Sequence, residues 1–177
     1  MLEANCAVAE FLEARGVPLP YRIHEAPDPS AVDDLNQLLA PLGLRIKYSG
    51  EVTPKDVQRA LHDVAEHRLS RVLARQVLRS LKQARYTTQN EGHFGLAFSS
   101  YCHFTSPIRR YPDLLVHRQI GRVLDGEIAA AQGCAEELER LCGENSDAER
   151  RSMGAERAMV DLKKAELMRE HLLEEEP

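Results

Sequence analysis

Two adjacent arginines, Arg109 and Arg110, stand inside the run TSPIRRYPD from Thr105 to Asp113. A guanidinium stays charged and presents five N–H donors in a planar fork, so a close pair of them is a means of gripping phosphate. Thr105, Ser106 and Pro107 before the pair, and Pro112 and Asp113 after it, are residue types that open helices, where free backbone amides also attract anions. The sequence therefore places Arg109 and Arg110 beside unpaired backbone N–H groups, as an anion site. A plainer arrangement uses the same residues: arginines that are solvated, or paired with Asp113 and nearby glutamates.

Other residue types offer weaker chemistry. Asp28, Asp33 and Asp34 form the one close aspartate cluster, and magnesium favours carboxylate oxygens. Ser30 followed by Asp33 is equally a capping arrangement for the next helix, and that reading is preferred. His93, His103 and His117 surround the central run, but none has a second ligand at i, i+4, so they are read as structural histidines. Cys6, Cys102, Cys134 and Cys142 show no CxxC spacing. Neither a zinc knuckle nor a disulfide framework is indicated, and the cysteines read as reduced, small buried groups.

The elements that must position the arginines follow from spacing. Leu2, Cys6, Ala9, Phe11 and Leu12 predict a first helix ending near Arg15. Tyr21 to His24 alternate as a short strand. Leu35, Leu38 and Leu39 predict the buried side of a second helix. Thr53, Pro54 and Asp56 open a third, with Val57, Leu61, Val64 and Ala65 buried. A helix is expected from Ser70 to Tyr86, and Arg68, Arg71, Arg75, Arg79, Lys82 and Arg85 would form a basic stripe along it, read as a solvated face. Phe94, Leu96 and Phe98 alternate as a strand. Ser106 to Tyr111 is a turn feeding a helix from about Pro112 to Leu124. Cys134 to Leu141 reads as a short helix stopped by Gly143, and Asn145 or Ser146 as the cap of a last, highly charged helix. The fold class is α+β, mostly helical, with a few short strands.

The stretch from Gly92 to Gln119 resembles the catalytic, or RNB, domain of the ribonuclease R and ribonuclease II family, closest to the ribonuclease R branch. His93 to Ala97, Tyr101, His103 to Leu114, His117 and Arg118 carry the match. Met1, Ala4 and Asn5, the run Tyr21 to Glu25, Asn90 with Gly92, Ala155 to Arg157, and Val160 with Asp161 extend it over nearly the whole chain. Cys102 replaces a small alanine, and Leu162 an aromatic residue. The resemblance implies one domain portion, residues 1–177, from the C-terminal half of a larger mixed catalytic domain. It implies 3′ to 5′ hydrolysis of single-stranded RNA, with Arg109 catalytic at the scissile phosphate and Arg110, Tyr111, His103 and Glu156 binding substrate. The family's magnesium site is an aspartate cluster upstream of this sequence. The expectation is therefore a fragment that binds no metal itself, is inactive alone, and has the missing N-terminal half as its partner; the other possibility is an inactive RNA-binding or docking remnant.

Composition sets the outer bounds. The chain of 177 residues is 43% hydrophobic and carries a net charge of −5, with pI near 5.8. Such a balance excludes nucleic-acid binding as a whole-surface property, so any RNA site must be a local basic patch. No apolar run approaches the roughly 18 residues a membrane span needs, and a cytoplasmic location is expected.

Overall fold

A computed structural model describes residues 1–174, with side chains placed through residue 169. In chain order the elements are helix α1 (Leu2–Glu13), strand β1 (Tyr21–Ile23), helices α2 (Pro29–Leu39), α3 (Pro54–Ala65) and α4 (Ser70–Arg79), strand β2 (Arg85–Thr87), and helices α5 (Tyr111–Leu124), α6 (Ile128–Gln132) and α7 (Ala135–Glu174). The strands pair antiparallel, with Tyr21 opposite Thr87, Arg22 opposite Tyr86 and Ile23 opposite Arg85. The apolar side chains gather in two cores, and β1 belongs to the second.

The first core joins α2, α3 and α4 through Val32, Leu35, Leu39, Ile46, Val57, Ala60, Val64, Leu73 and Val77. The second gathers α1, β1, α5 and α6 through Ala9, Leu12, Leu19, Tyr21, Ile23, Cys102, Val116 and Ala131. Thr53 caps α3 as its sequence suggests: its hydroxyl accepts from the Asp56 amide, and the Asp56 carboxylate accepts from the Thr53 amide at 2.9 Å.

The structure corrects several expectations. Leu38 is 50% exposed, and Val32 takes its place on the buried side of α2. Asp28, not Ser30, stands at the start of that helix, without a side-chain capping bond. On α3, Ala60 is buried where Ala65 is exposed. The helix expected to reach Tyr86 ends at Arg79, because residues 85–87 are drawn into pairing with β1. Lys82 and Arg85 consequently leave the basic stripe: both bond to Glu25 at 2.8 Å, and Lys82 also pairs with Asp28. Phe94 to Leu96 is a 3-10 turn rather than a strand, closed by the His93 amide donating to the Phe98 carbonyl at 2.8 Å.

Gly143 does not stop a helix. It sits inside α7 facing open space, where a glycine costs only about 1 kcal/mol. Asn145 and Ser146, expected as caps, instead donate back to the carbonyls of Leu141 and Cys142. Among the described residues, the bonds that fasten α7 to the rest of the chain lie along its first half. Glu139 accepts from Thr87 and Thr88, Ser146 accepts from the Tyr86 amide at 2.9 Å, and Glu149 grips Arg22. From Arg151 through Ala165 every side chain is exposed.

Burial makes a direct prediction for α2. Leu39→Ala should destabilise the chain by about 2–5 kcal/mol, while Leu38→Ala one residue earlier should stay within about 0.5 kcal/mol. Denaturant unfolding of both variants checks the side of α2 that packs; similar losses would place the core wrongly.

Candidate functional site

The central turn is built on Asp113. In the first turn of α5, its fully buried carboxylate accepts from the Ser106 amide at 2.7 Å and from Arg110 Nε and Nη2 at 2.8 and 2.9 Å. Pro112 fits the start of α5, where its missing N–H leaves no bond unmade. The Arg109 and Arg110 amides both donate to the Ser106 carbonyl, at 3.3 and 3.2 Å. Their own amides are thus paired, and what the two residues offer an anion is their side chains.

The two arginines differ sharply. Arg110 is held two-pronged by Asp113, with its side chain 21% exposed. Arg109 is exposed and has no carboxylate or carbonyl partner among the described residues. Beside it Ile108 is fully exposed, forming the tip of the turn. At the tip of the turn the chemistry available is therefore an unneutralised guanidinium on a fixed backbone.

The segment leading into the turn is also fixed. Phe104 stacks on His117 with ring centres 4.2 Å apart, its carbonyl bonds His117 Nε2 at 2.9 Å, and its amide donates to Asn5 Oδ1 at 3.1 Å. Asn5, buried on α1, also donates to the Tyr101 hydroxyl and accepts through its carbonyl from Cys102. Burial pushes the Cys102 thiol up to about 12, so it stays protonated.

His103 shares a 2.8 Å hydrogen bond between its Nδ1 and the Tyr86 hydroxyl. Burial, followed by the nearby Arg110 and Arg22 charges, lowers its pKa to about 4; burial and then His24 do the same for His93. Arg22 lies 4.7 Å from the centre of the Tyr86 ring and meets Glu149 of α7 at 2.6 and 3.1 Å. Tyr111 is partly exposed under the Arg118 guanidinium. Glu156 lies on the exposed part of α7, lining a shallow groove with Arg75, Arg157 and Lys164. That groove shares no residue with the turn: Arg109, Arg110 and Tyr111 follow one another along the turn, the Arg110 charge is felt at His103, and Glu156 stands on a separate element.

Asp28 is paired with Lys82, and Asp33 accepts from the Tyr48 hydroxyl at 3.1 Å. Among the described residues no three His, Cys, Asp or Glu side chains gather closely enough to hold a metal ion. Asp113, Asn5 and the Arg22–Glu149 bridge carry more of the site than their sequence context announced. Asp113 left a local signal, an acid three residues beyond an arginine at a helix start, and Asn5 one through the family resemblance.

The architecture is that of a ribonuclease segment. It superimposes on Mycoplasma genitalium RNase R in complex with ribose methylated single-stranded RNA with a TM-score of 0.82 at 29% identity, covering 92% of this chain and 26% of that one. The RNB domain family matches residues 1–126, and the chain belongs to that family. Ribonuclease R 1 of Lactococcus lactis is 43% identical over 178 residues, and Ribonuclease R of Thermotoga maritima 40% identical over 176. These alignments cover 99% and 97% of this chain but 22% and 25% of the relatives, so the chain spans about a quarter of their length. No described helix is long and apolar enough to cross a membrane.

The histidines predict an acid-sensitive fold. His93 and His103 are held neutral when folded and bind protons near their ordinary value of 6.5 when unfolded. Stability should therefore be full above pH 6.5, decline as pH falls toward about 4, and stop declining from this cause below it. Glu25, held below its ordinary 4.5 by its bond to Lys82, titrates at lower pH and leaves the upper window to the histidines. Thermal unfolding across that window should fall less steeply in His103→Gln; an unchanged slope would remove His103 as a cause.

Proposed function

We propose that this chain is the phosphate-gripping portion of a 3′ to 5′ exoribonuclease acting on single-stranded RNA, with Arg109 the guanidinium that meets the scissile phosphate. One observation carries this reading: Arg109 is exposed and uncompensated on a turn whose backbone is closed and whose other arginine is already neutralised. A charged donor fixed before substrate arrives needs no reorganisation as charge develops on the phosphate. Membership in the RNB family, and relatives named Ribonuclease R, supply the reaction class.

Hydrolysis belongs to the complete protein. In this reading the magnesium ligands come from the remainder of the catalytic domain, and this chain contributes side chains: Arg109 at the reacting phosphate, Tyr111 and His103 beside it, and Glu156 from α7 toward the terminal nucleotide. Arg110 acts by bracing the turn rather than by reaching the RNA. The exposed stripe of Met153, Val160 and Leu167, spaced seven apart on α7, supports the remainder of the domain as the partner that covers this helix. The reading places the enzyme in the cytoplasm, with its RNA substrate.

With residues 1–177 exchanged into a full-length ribonuclease R, Arg109→Ala should slow single-turnover cleavage by about a hundredfold or more, with little change in RNA affinity. Arg109→Lys should recover part of the rate, since a point charge makes one contact where the fork makes two. A loss confined to binding would overturn the assignment. The 177-residue chain alone should not shorten RNA in magnesium, and its binding should weaken with salt at a log–log slope of roughly 0.7 per phosphate contact.

A further inference from the structure

We propose that Asp113 is a positioning residue for the phosphate contact, acting through Arg109 without touching RNA. The inference rests on the reading of Arg109 given above and concerns how that side chain comes to be placed. The single carboxylate closes the turn from both sides. Oδ1 takes the Ser106 amide, at the turn's start, and Arg110 Nη2, at its end; Oδ2 takes Arg110 Nε. Inside that clasp the Ser106 carbonyl receives the Arg109 and Arg110 amides. Ile108 and Arg109 are the residues left outside, both exposed.

The segment before the clasp has no slack either, because Phe104 is held by Asn5 on one side and His117 on the other. The Arg109 backbone can shift only if Asp113 releases Ser106 or Arg110. Separating a fully buried carboxylate from its cation leaves an uncompensated charge, which is among the costlier changes a fold can undergo. Arg110, in turn, is unavailable for phosphate, because reaching out would strand Asp113. The paired arginines thus divide the work: the second is spent on holding the first in place.

Asp113→Asn keeps the side-chain shape but removes the charge that Arg110 needs. In the full-length exchanged enzyme this variant should reduce the single-turnover rate on the order of tenfold to a hundredfold, as expected for small misplacement of a reacting group. Apparent RNA affinity should change far less. Combined with Arg109→Ala, the same substitution should add less than about twofold, since a residue acting through Arg109 has nothing left to position. An equal loss with and without Arg109 would show a general structural role and overturn the proposal, as would a wild-type rate for Asp113→Asn. A small effect of Arg109→Ala by itself would overturn the reading beneath it, and that outcome is visible without any Asp113 variant. If Asp113→Asn does not fold, Arg110→Lys keeps a cation opposite the carboxylate but loses the two-pronged grip. It should give a smaller rate loss that likewise vanishes without Arg109; a wild-type rate for Arg110→Lys would overturn the proposal.

Discussion

A carboxylate with no exposure to water has to be fully bonded, and Asp113 meets that requirement with one backbone amide and one two-pronged arginine. The geometry of the central turn follows from this constraint. Ser106 must come close to the start of α5, Arg110 must fold back onto it, and the residues between them must bulge outward. The outward bulge is what exposes Arg109. A buried ion pair is weak evidence for net stability, but it is strong evidence for a single conformation once the alternatives leave a charge unpaired.

The rest of the chain extends the same logic to larger scale. α5 is seated on the second core by Val116, and Asn5 of α1 and His117 of α5 both hold Phe104, so the helix carrying Asp113 does not drift relative to the segment leading into the turn. Gln119, also buried on α5, donates to the carbonyls of Pro18 and Ala131 and locks α5 against α6. On the opposite side, Arg22, Tyr86 and Glu149 tie the sheet to α7, and with it the element bearing Glu156. The first core, made by α2, α3 and α4, includes none of these residues and carries Phe94 of the 3-10 turn at its edge.

Much of this was legible in the residues. The helix starts at Thr53 and Pro112, the strand at Tyr21, and the turn at Ser106 to Arg110 followed from capping and proline chemistry, which act locally. The family resemblance pointed to the RNB domain, which the match over residues 1–126 shows. What was not legible depended on distant partners. Tyr86 reads as the end of a helix until β1 is beside it, and Gly143 reads as a stop until one sees that a helix facing solvent needs nothing at that position. Lys82 and Arg85 looked like part of a basic face because Glu25 is sixty residues from Arg85 in sequence and 2.8 Å from it in space. That Arg110, and not Arg109, is the arginine neutralised was invisible for the same reason: burial of Asp113 decides it, and burial is a property of the whole fold.

On the proposed reading, the uncompensated Arg109 beside a neutralised Arg110 serves one phosphate rather than a broad cationic face, in keeping with the chain's net negative charge. The most direct test is a crystal structure of a full-length ribonuclease R carrying this segment, bound to single-stranded RNA with a non-hydrolysable terminal linkage. The expected result is the Arg109 guanidinium on the terminal phosphodiester at about 2.7–2.9 Å, with Arg110 still held by Asp113. Arg110 released from Asp113 and bonded to the phosphate, with Arg109 in solvent, would contradict it.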